Sequence, residues 1–215
     1  MLIKLQITKY ISNIAAPKVM IANSFTNEQI EKLGNSLIYL SQHVGEFTKT
    51  KILKLLFLLE ESSIKKYGHP FFGVNFQIWK YGPVLNDVYI DLSDDSLSLL
   101  GNFIKRSPHN NQEFEAKANF NDDEFSENDI DLMGSIIKFA KHKTAKDLVA
   151  YTHGEKSLWR QSAIHYGILE SLESQKTSST DLLIDFSLLF ENDSFLKERY
   201  SDAVENLHFI NHLKG

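Results

Sequence analysis

Apolar residues recur every three or four positions along two neighbouring segments, which predicts two helices. In the first segment Ile30, Leu33 and Leu37 share one face, and this helix is expected to end before Gly45. The second segment begins at Thr48, a residue type that caps helix N-termini well, and is apolar nearly all round. The second helix is therefore predicted to be the central buried helix.

The second helix carries few polar residues. Lys51, Lys54 and the pair Glu60–Glu61 are the ones expected to face water. The helix should end near Gly68, which can adopt the left-handed conformation that closes helices, and Pro70 forbids its continuation.

After this helix the period of the apolar pattern changes from helical to alternating. Every second residue from Phe72 to Ile78 is apolar, which predicts a half-buried strand. Gly82 followed by Pro83 predicts a loop that enters a helix, with Pro83 in the first turn, where its missing N–H costs nothing. Val84 and Val88 would lie on the buried side of that helix.

Two further strands are predicted around the polar turn 107–111. Phe103 and Ile104 precede the turn, and an alternation from Phe114 to Phe120 follows it. Together these patterns predict an α+β fold, mainly α-helical, with a small antiparallel sheet of about three strands.

The second half of the chain is predicted to be mainly helical. Ser126 with Asp129, and Thr144 with Asp147, match the capping box that begins a helix. The small polar stretch 171–180 is the best linker candidate, and a closing amphipathic helix follows it. We therefore expect three regions: an N-terminal extension (1–25), one domain (26–170), and a C-terminal helical tail packed on or beside it (171–215).

Composition narrows the classes of function. The chain has 215 residues, 42% of them apolar, a net charge of −5 and no cysteine. The charge disfavours a nucleic-acid partner, and the absence of cysteine removes thiolate catalysis and disulfide frameworks. Because no apolar run reaches about eighteen residues, no membrane association is expected. A cytoplasmic location is predicted.

Motifs of catalysis and cofactor binding are missing from the sequence. It contains no dinucleotide-binding glycine pattern, no phosphate-binding loop and no nucleophile elbow. His208 and His212 have the spacing of zinc ligands, but no glutamate follows His208 as metalloprotease chemistry requires. We expect no catalytic residue, no cofactor and no metal. A small hydrolytic enzyme remains an alternative, resting only on acidic pairs and scattered histidines.

Two dense blocks carry a likeness to a known family. The first runs from Thr48 to Tyr89, and the second contains the run from Thr144 to Leu148, the triplet Tyr151-Thr152-His153, and Trp159. Both resemble the Panacea domain, also called the SocA-like or GepA-like phage-associated domain, over roughly residues 30–165. The residues that carry the likeness, expected to be structural or partner-binding, are Thr48, Lys54, Leu55, Gly73, Trp79, Tyr81, Gly82, Pro83, Val84, Tyr89, His153 and Trp159.

The resemblance implies an antitoxin of a bacterial toxin–antitoxin pair. It implies a cognate toxin protein, encoded nearby, that the chain neutralises by direct protein–protein binding. Family members neutralise toxins of several unrelated kinds, so the likeness does not fix the class of toxin. A proteolytic adaptor that delivers the toxin to a protease is the alternative within the same family.

Two packing questions follow from these patterns. Trp79 and Pro83 are expected to mark a strand-to-helix corner packed against Trp159, which would join the two blocks. In the tail, exposed aromatic residues are candidates for partner binding because desolvated aromatics dominate protein interfaces. These candidates are Phe190, Phe195, Tyr200 and Phe209, with ordinary core packing of the last helix as the alternative.

Overall fold

The chain folds as helices around one long central helix, with two short hairpins. The computed structural model describes residues 25–190 and 193–214, so the proposed N-terminal extension lies outside it except for Phe25. The α+β class, mainly helical, is confirmed. The elements are α1 (Asn27–Ser41), α2 (Lys49–Tyr67), β1 (Gln77–Trp79), β2 (Gly82–Val84), α3 (Asn86–Asp91), β3 (Ile104–Arg106), β4 (Phe114–Ala116), α4 (Glu127–Ala140), α5 (Ala145–Thr152), α6 (Leu158–His165), α7 (Leu169–Glu173), a 3₁₀ turn (Phe186–Phe190) and α8 (Ser194–Lys214).

The central position of α2 is confirmed. Its aliphatic side chains from Ile52 to Leu59 are buried on every side, against α4, α5, β2 and the 3₁₀ turn. The Thr48 hydroxyl accepts the Lys51 backbone N–H at the N-terminus. Gly68 ends the helix in the left-handed conformation, with φ of 69°.

Three of the four polar residues of α2 that were predicted to face water are buried instead, and the fourth, Glu61, is partly buried. Lys51, Lys54 and Glu60 are each almost fully buried. The Lys51 Nζ donates to the Gly45 carbonyl at 2.6 Å, and the Glu60 carboxylate accepts the backbone N–H groups of residues 71–73. These long side chains satisfy the backbone groups of neighbouring loops, which is how buried polar atoms are tolerated.

The strands form two separate antiparallel hairpins, rather than the single sheet expected. In the first, Ile78 of β1 lies opposite Pro83 of β2, and in the second Lys105 of β3 lies opposite Glu115 of β4. Every second side chain from Phe72 to Ile78 is buried, as the alternation predicted, but the strand itself is shorter and covers only Gln77–Trp79.

The prediction that Pro83 begins a helix is wrong. Pro83 lies in β2, and α3 begins three residues later at Asn86. The Ile78 N–H donates to the Leu182 carbonyl, and the Ile78 carbonyl accepts from the Thr180 hydroxyl, both on the side away from β2. Ile78 and Pro83 are therefore a non-hydrogen-bonded pair, and the missing N–H of Pro83 costs the hairpin no hydrogen bond.

The polar stretch 171–180 does not behave as a free linker. Leu172 is buried, and the Ser178 carbonyl accepts the Lys80 backbone N–H at 3.0 Å. The chain then runs along the outer edge of β1, where the Ile184 N–H donates to the Phe76 carbonyl at 2.8 Å. Phe186 and Phe190 of the 3₁₀ turn enter the core.

Both predicted capping boxes are confirmed, at Ser126 with Asp129 and at Thr144 with Asp147. The closing helix is confirmed as α8, which contacts α2 and the 3₁₀ turn. In the part of the chain that the structure describes, no helix combines the length and the apolar character needed to cross a membrane.

Candidate functional site

Residues from the two motif blocks meet at one place between α2, β2, α5 and α6. We call this place the motif junction and define it by Lys54, Gly82, Pro83, His153 and Trp159. The first three come from the first block and the last two from the second. Direct contacts between the blocks are therefore built into the core of the fold.

Lys54 brings a cation into the junction without an acidic partner. Its side chain is 2% exposed, and its Nζ donates to the Pro83 carbonyl at 3.0 Å. No ion pair in the described residues includes Lys54. Burial lowers the pKa of Lys54 from 10.5 to about 7, because a charged ammonium is poorly solvated there.

His153 ends α5 and stacks flat on Trp159. The two ring centroids are 4.0 Å apart and the planes differ by 3°. The His153 Nε2 is buried and has no hydrogen-bond partner in the structure. Burial lowers the pKa of His153 to about 4; the nearby Lys54 charge acts in the same direction, and an interaction with the Tyr81 backbone opposes it.

Gly82 is the point of closest approach between these groups. Its φ is +102°, a backbone conformation that residues with a side chain rarely adopt. A Cβ placed there would lie 2.8 Å from the Lys54 Nζ and 3.2 Å from the His153 Nε2. Only glycine lets β2 pass this close to both side chains.

The expected contact between Trp79 and Trp159 is confirmed. The Trp159 indole Nε1 donates to the Trp79 carbonyl at 2.9 Å, and Trp159 is 2% exposed. The Trp79 ring packs edge-on against Tyr89, with centroids 4.9 Å apart. The corner that Trp79 and Pro83 mark is the turn of the β1–β2 hairpin, so the predicted strand-to-helix form of that corner is wrong.

The remaining motif residues support the fold around the junction, with one exception. Thr48 caps α2, and Leu55 and Val84 are buried in the core. Gly73 lies so close to α8 that a Cβ there would be 2.8 Å from a Leu207 methyl group. The exception is Tyr81, whose side chain is 64% exposed.

Tyr81 lies at a shallow open pocket of about 280 Å³ above the junction. His153 and Trp159 form part of its lining, and the ion pair between Arg160 and Glu173, at 2.8 Å, borders it. The pocket thus places one exposed aromatic residue beside the stacked ring pair. The arrangement can bind a partner group against aromatic surfaces.

The tail candidates divide into two groups. Phe190 is 4% exposed and packs in the core, which is the alternative given above for the tail aromatics. Tyr200 is half-buried and packs against the Phe190 ring, with centroids 5.6 Å apart. Phe195 and Phe209 of α8 are about two-thirds exposed, at 65% and 64%. The side chain of His212, part of the rejected metal pair with His208, lies outside the described residues, as does that of His208 itself.

A larger cavity of about 450 Å³ lies between the 70–77 loop, residues 183–186 and α8. Glu60 lines it, and burial raises the pKa of this carboxyl to about 7 against the opposing hydrogen bonds from residues 71–74. Both Glu60 oxygens accept backbone N–H groups, so the carboxylate is engaged in holding the loop. Within residues 25–190 and 193–214 no three acidic or histidine side chains converge as a metal site.

The sequence prediction did not identify Glu60 as a structural acid. Its signal was a carboxylate directly after the apolar run from Leu55 to Leu59, about three turns from the N-terminus of the helix.

Comparisons with known proteins give one match. No curated protein and no solved structure matches the chain significantly. A family model described as "Antitoxin SocA-like, Panacea domain" matches residues 52–160, which contain the motif junction and half of the chain. The chain therefore belongs to the SocA-like Panacea-domain family of antitoxins.

Proposed function

We propose that this protein is an antitoxin that neutralises a cognate toxin protein by binding it directly. The observation that carries the proposal is the family match over residues 52–160. Stoichiometric binding needs no catalytic residue, and a stable complex of this kind buries on the order of 1,600 Å² in total.

The chemistry of the motif junction supports binding over catalysis. Lys54 donates to a backbone carbonyl, and the His153 ring lies flat on Trp159, so both side chains join elements of the core. Burial depresses the pKa of each, which disfavours their charged forms. The motif thus supports a rigid scaffold, and partner contact is assigned to residues on its surface.

Exposed aromatic residues are the proposed contacts. Tyr81 is the motif residue with the most exposed side chain, and Phe195 and Phe209 present aromatic rings from α8. Large aromatic side chains supply much of the binding energy in interfaces when they become buried. We therefore propose these three residues as first candidates for contact with the toxin.

The test is co-expression of the chain with the product of an adjacent reading frame in bacteria. Growth rescue, together with co-elution of the two proteins at a fixed stoichiometry, is the expected result. Single variants Tyr81→Ala, Phe195→Ala and Phe209→Ala are preferable to truncation at residue 170, because truncation would remove Phe186 and Phe190 from the core. Failure of the intact chain to rescue growth or to bind would overturn the proposal.

The same experiment separates occlusion from delivery to a protease. Under occlusion the level of toxin stays constant while growth is restored. If the toxin disappears in a protease-dependent manner, the chain is a proteolytic adaptor. Immunoblots of the toxin during rescue, with and without a protease-deficient host, distinguish these outcomes.

A further inference from the structure

An exposed basic and aromatic surface lies where α4 ends and α5 begins. We call it the α4–α5 corner and define it by Lys138, Phe139, Lys141, Lys143, Lys146 and Tyr151. Residues 138–151 contain four lysines and a single acidic residue, Asp147, in a chain of net charge −5. The Asp147 carboxylate is engaged in capping, since it accepts from the Thr144 N–H and hydroxyl at 2.8 Å.

Aromatic side chains at this corner are left in solvent. Phe139 is 36% exposed and Tyr151 is 56% exposed, and their rings pack together with centroids 4.9 Å apart. The Lys143 Nζ lies over the Phe139 ring at 4.8 Å. Two touching aromatic rings exposed under a cation form a preorganised contact surface, because their rotamers are already fixed by one another.

Ordinary helix electrostatics explain only part of the lysine cluster. Lys138 and Lys141 follow the usual preference for cations at a helix C-terminus. Lys146 is in the first turn of α5, where the helix dipole favours an acid instead. None of the four lysines belongs to an ion pair in the described part of the chain.

We propose that the α4–α5 corner is a docking surface for an acidic face of a protein partner. The proposal rests on the antitoxin function above and names the chemistry that the toxin presents. Asp147 offsets the charges of Lys143 and Lys146 in part. The remaining positive charge supplies charge complementarity and faster association, and the aromatic pair supplies the buried centre of the contact.

A protein partner fits this surface better than a nucleic acid does. Phe139 and Tyr151 lie at 59° to one another and Lys143 covers one face of Phe139, so the pair offers no open parallel stack for bases. At the other end of α4 the acidic run 122–131 would repel a long polyanion. The positive surface is short and local, which matches a patch on a folded protein.

The experiment uses the full chain and the product of the adjacent reading frame. The variant Lys143→Gln/Lys146→Gln removes two positive charges, one of which, on Lys143, lies above the Phe139 ring. Its matched control, Lys65→Gln/Lys66→Gln, also removes two positive charges, one of which, on Lys66, lies above an aromatic ring, that of Tyr67. The control lies at the far end of α2, about 20 Å along the helix from Lys51, which is the α2 residue close to Asp147.

We expect the corner variant to weaken binding at least tenfold at low salt, mainly through slower association, and the control to change it less than twofold. Tyr151→Ala should weaken binding by a similar factor. Phe195→Ala instead tests the separate proposal that α8 contacts the toxin. Unchanged affinity in both corner variants overturns the docking surface even if the antitoxin function stands.

A second experiment tests the docking proposal if the adjacent gene product does not bind. That result would refute the proposed antitoxin function and would leave the docking surface to be tested separately. Binding of an oligo-glutamate peptide, lost in the corner variant and kept in the control, supports an acidic protein partner. Failure to bind the peptide, or preferential binding of transfer RNA through the same lysines, overturns the proposal.

Discussion

Replacing Lys54 by methionine should stabilise the protein near neutral pH, because methionine keeps the volume of the side chain and removes the buried charge. The fall in the Lys54 pKa from 10.5 to about 7 corresponds to about 5 kcal/mol of unfavourable free energy for the charged form. Against this, the Pro83 carbonyl loses its donor, which costs about 1–3 kcal/mol when a buried acceptor is left unpaired.

The difference between these two effects should depend on pH. At about pH 6 Lys54→Met should raise the free energy of unfolding by about 2–4 kcal/mol, or the melting temperature by about 5–15 °C. The folded-state pKa of Lys54 is depressed, so the unfolded chain binds more protons between about pH 7 and 10.5, and wild-type stability rises with pH there. Above that window neutral Lys54 keeps its hydrogen bond, and the wild type should be the more stable protein.

The assay is urea unfolding followed by circular dichroism across that pH range. Lys51→Met is the control: Lys51 also donates to a backbone carbonyl, but Glu46, Asp147 and Glu113 lie near enough to oppose the effect of burial on its pKa. It should lose stability at about pH 6. A Lys54→Met variant that is less stable than wild type at that pH, or a difference that stays constant from about pH 6 to 10, would refute the reasoning.

Two further predictions concern Gly82 and Glu60. Gly82→Ala should destabilise the protein by about 2–3 kcal/mol in the same assay, because of the φ of +102° at Gly82 and the crowding by Lys54. The control Gly134→Ala, at a position in α4 with open space around it, should stabilise by up to about 1 kcal/mol. Equal effects of the two substitutions would contradict the close-approach argument. Glu60 has a raised folded-state pKa of about 7, so it makes stability fall as pH rises from 4.5 to about 7. Glu60→Gln should lack this contribution, and identical pH slopes for wild type and variant would show that Glu60 is ionised throughout.

Local signals in the sequence were sufficient for most of the helices. Thr48, Ser126 and Thr144 cap their helices through residues three positions away, so the information lies within one turn. The alternation from Phe72 to Ile78 predicted which side chains are buried. It did not predict pairing, since backbone pairing at β1 depends on residues 178–184, about a hundred positions later.

Non-local packing explains the predictions that failed. Gly82 followed by Pro83 predicted a helix start, but Pro83 lies in β2 opposite Ile78, whose backbone N–H and carbonyl bond to Leu182 and Thr180 of the tail. Lys54 and Glu60 were expected in water because charged side chains usually are, and only the fold reveals the carbonyl and N–H groups that receive them. The lysines of the α4–α5 corner were visible in the sequence, but their meeting with the Phe139–Tyr151 pair depends on the angle between two helices.

The burial of the motif junction separates two kinds of substitution. A change at Lys54, Gly82 or Trp159 alters the fraction of folded protein, and so lowers or raises the apparent activity of any function of the domain. A change at an exposed residue such as Tyr81 or Tyr151 leaves stability nearly constant and alters affinity. Because family resemblance rests mainly on the first kind of residue, it identifies the scaffold, and the identity of the partner has to be encoded by the second kind. Affinity measured at matched stability is therefore the quantity that distinguishes a binding residue from a folding residue in this family.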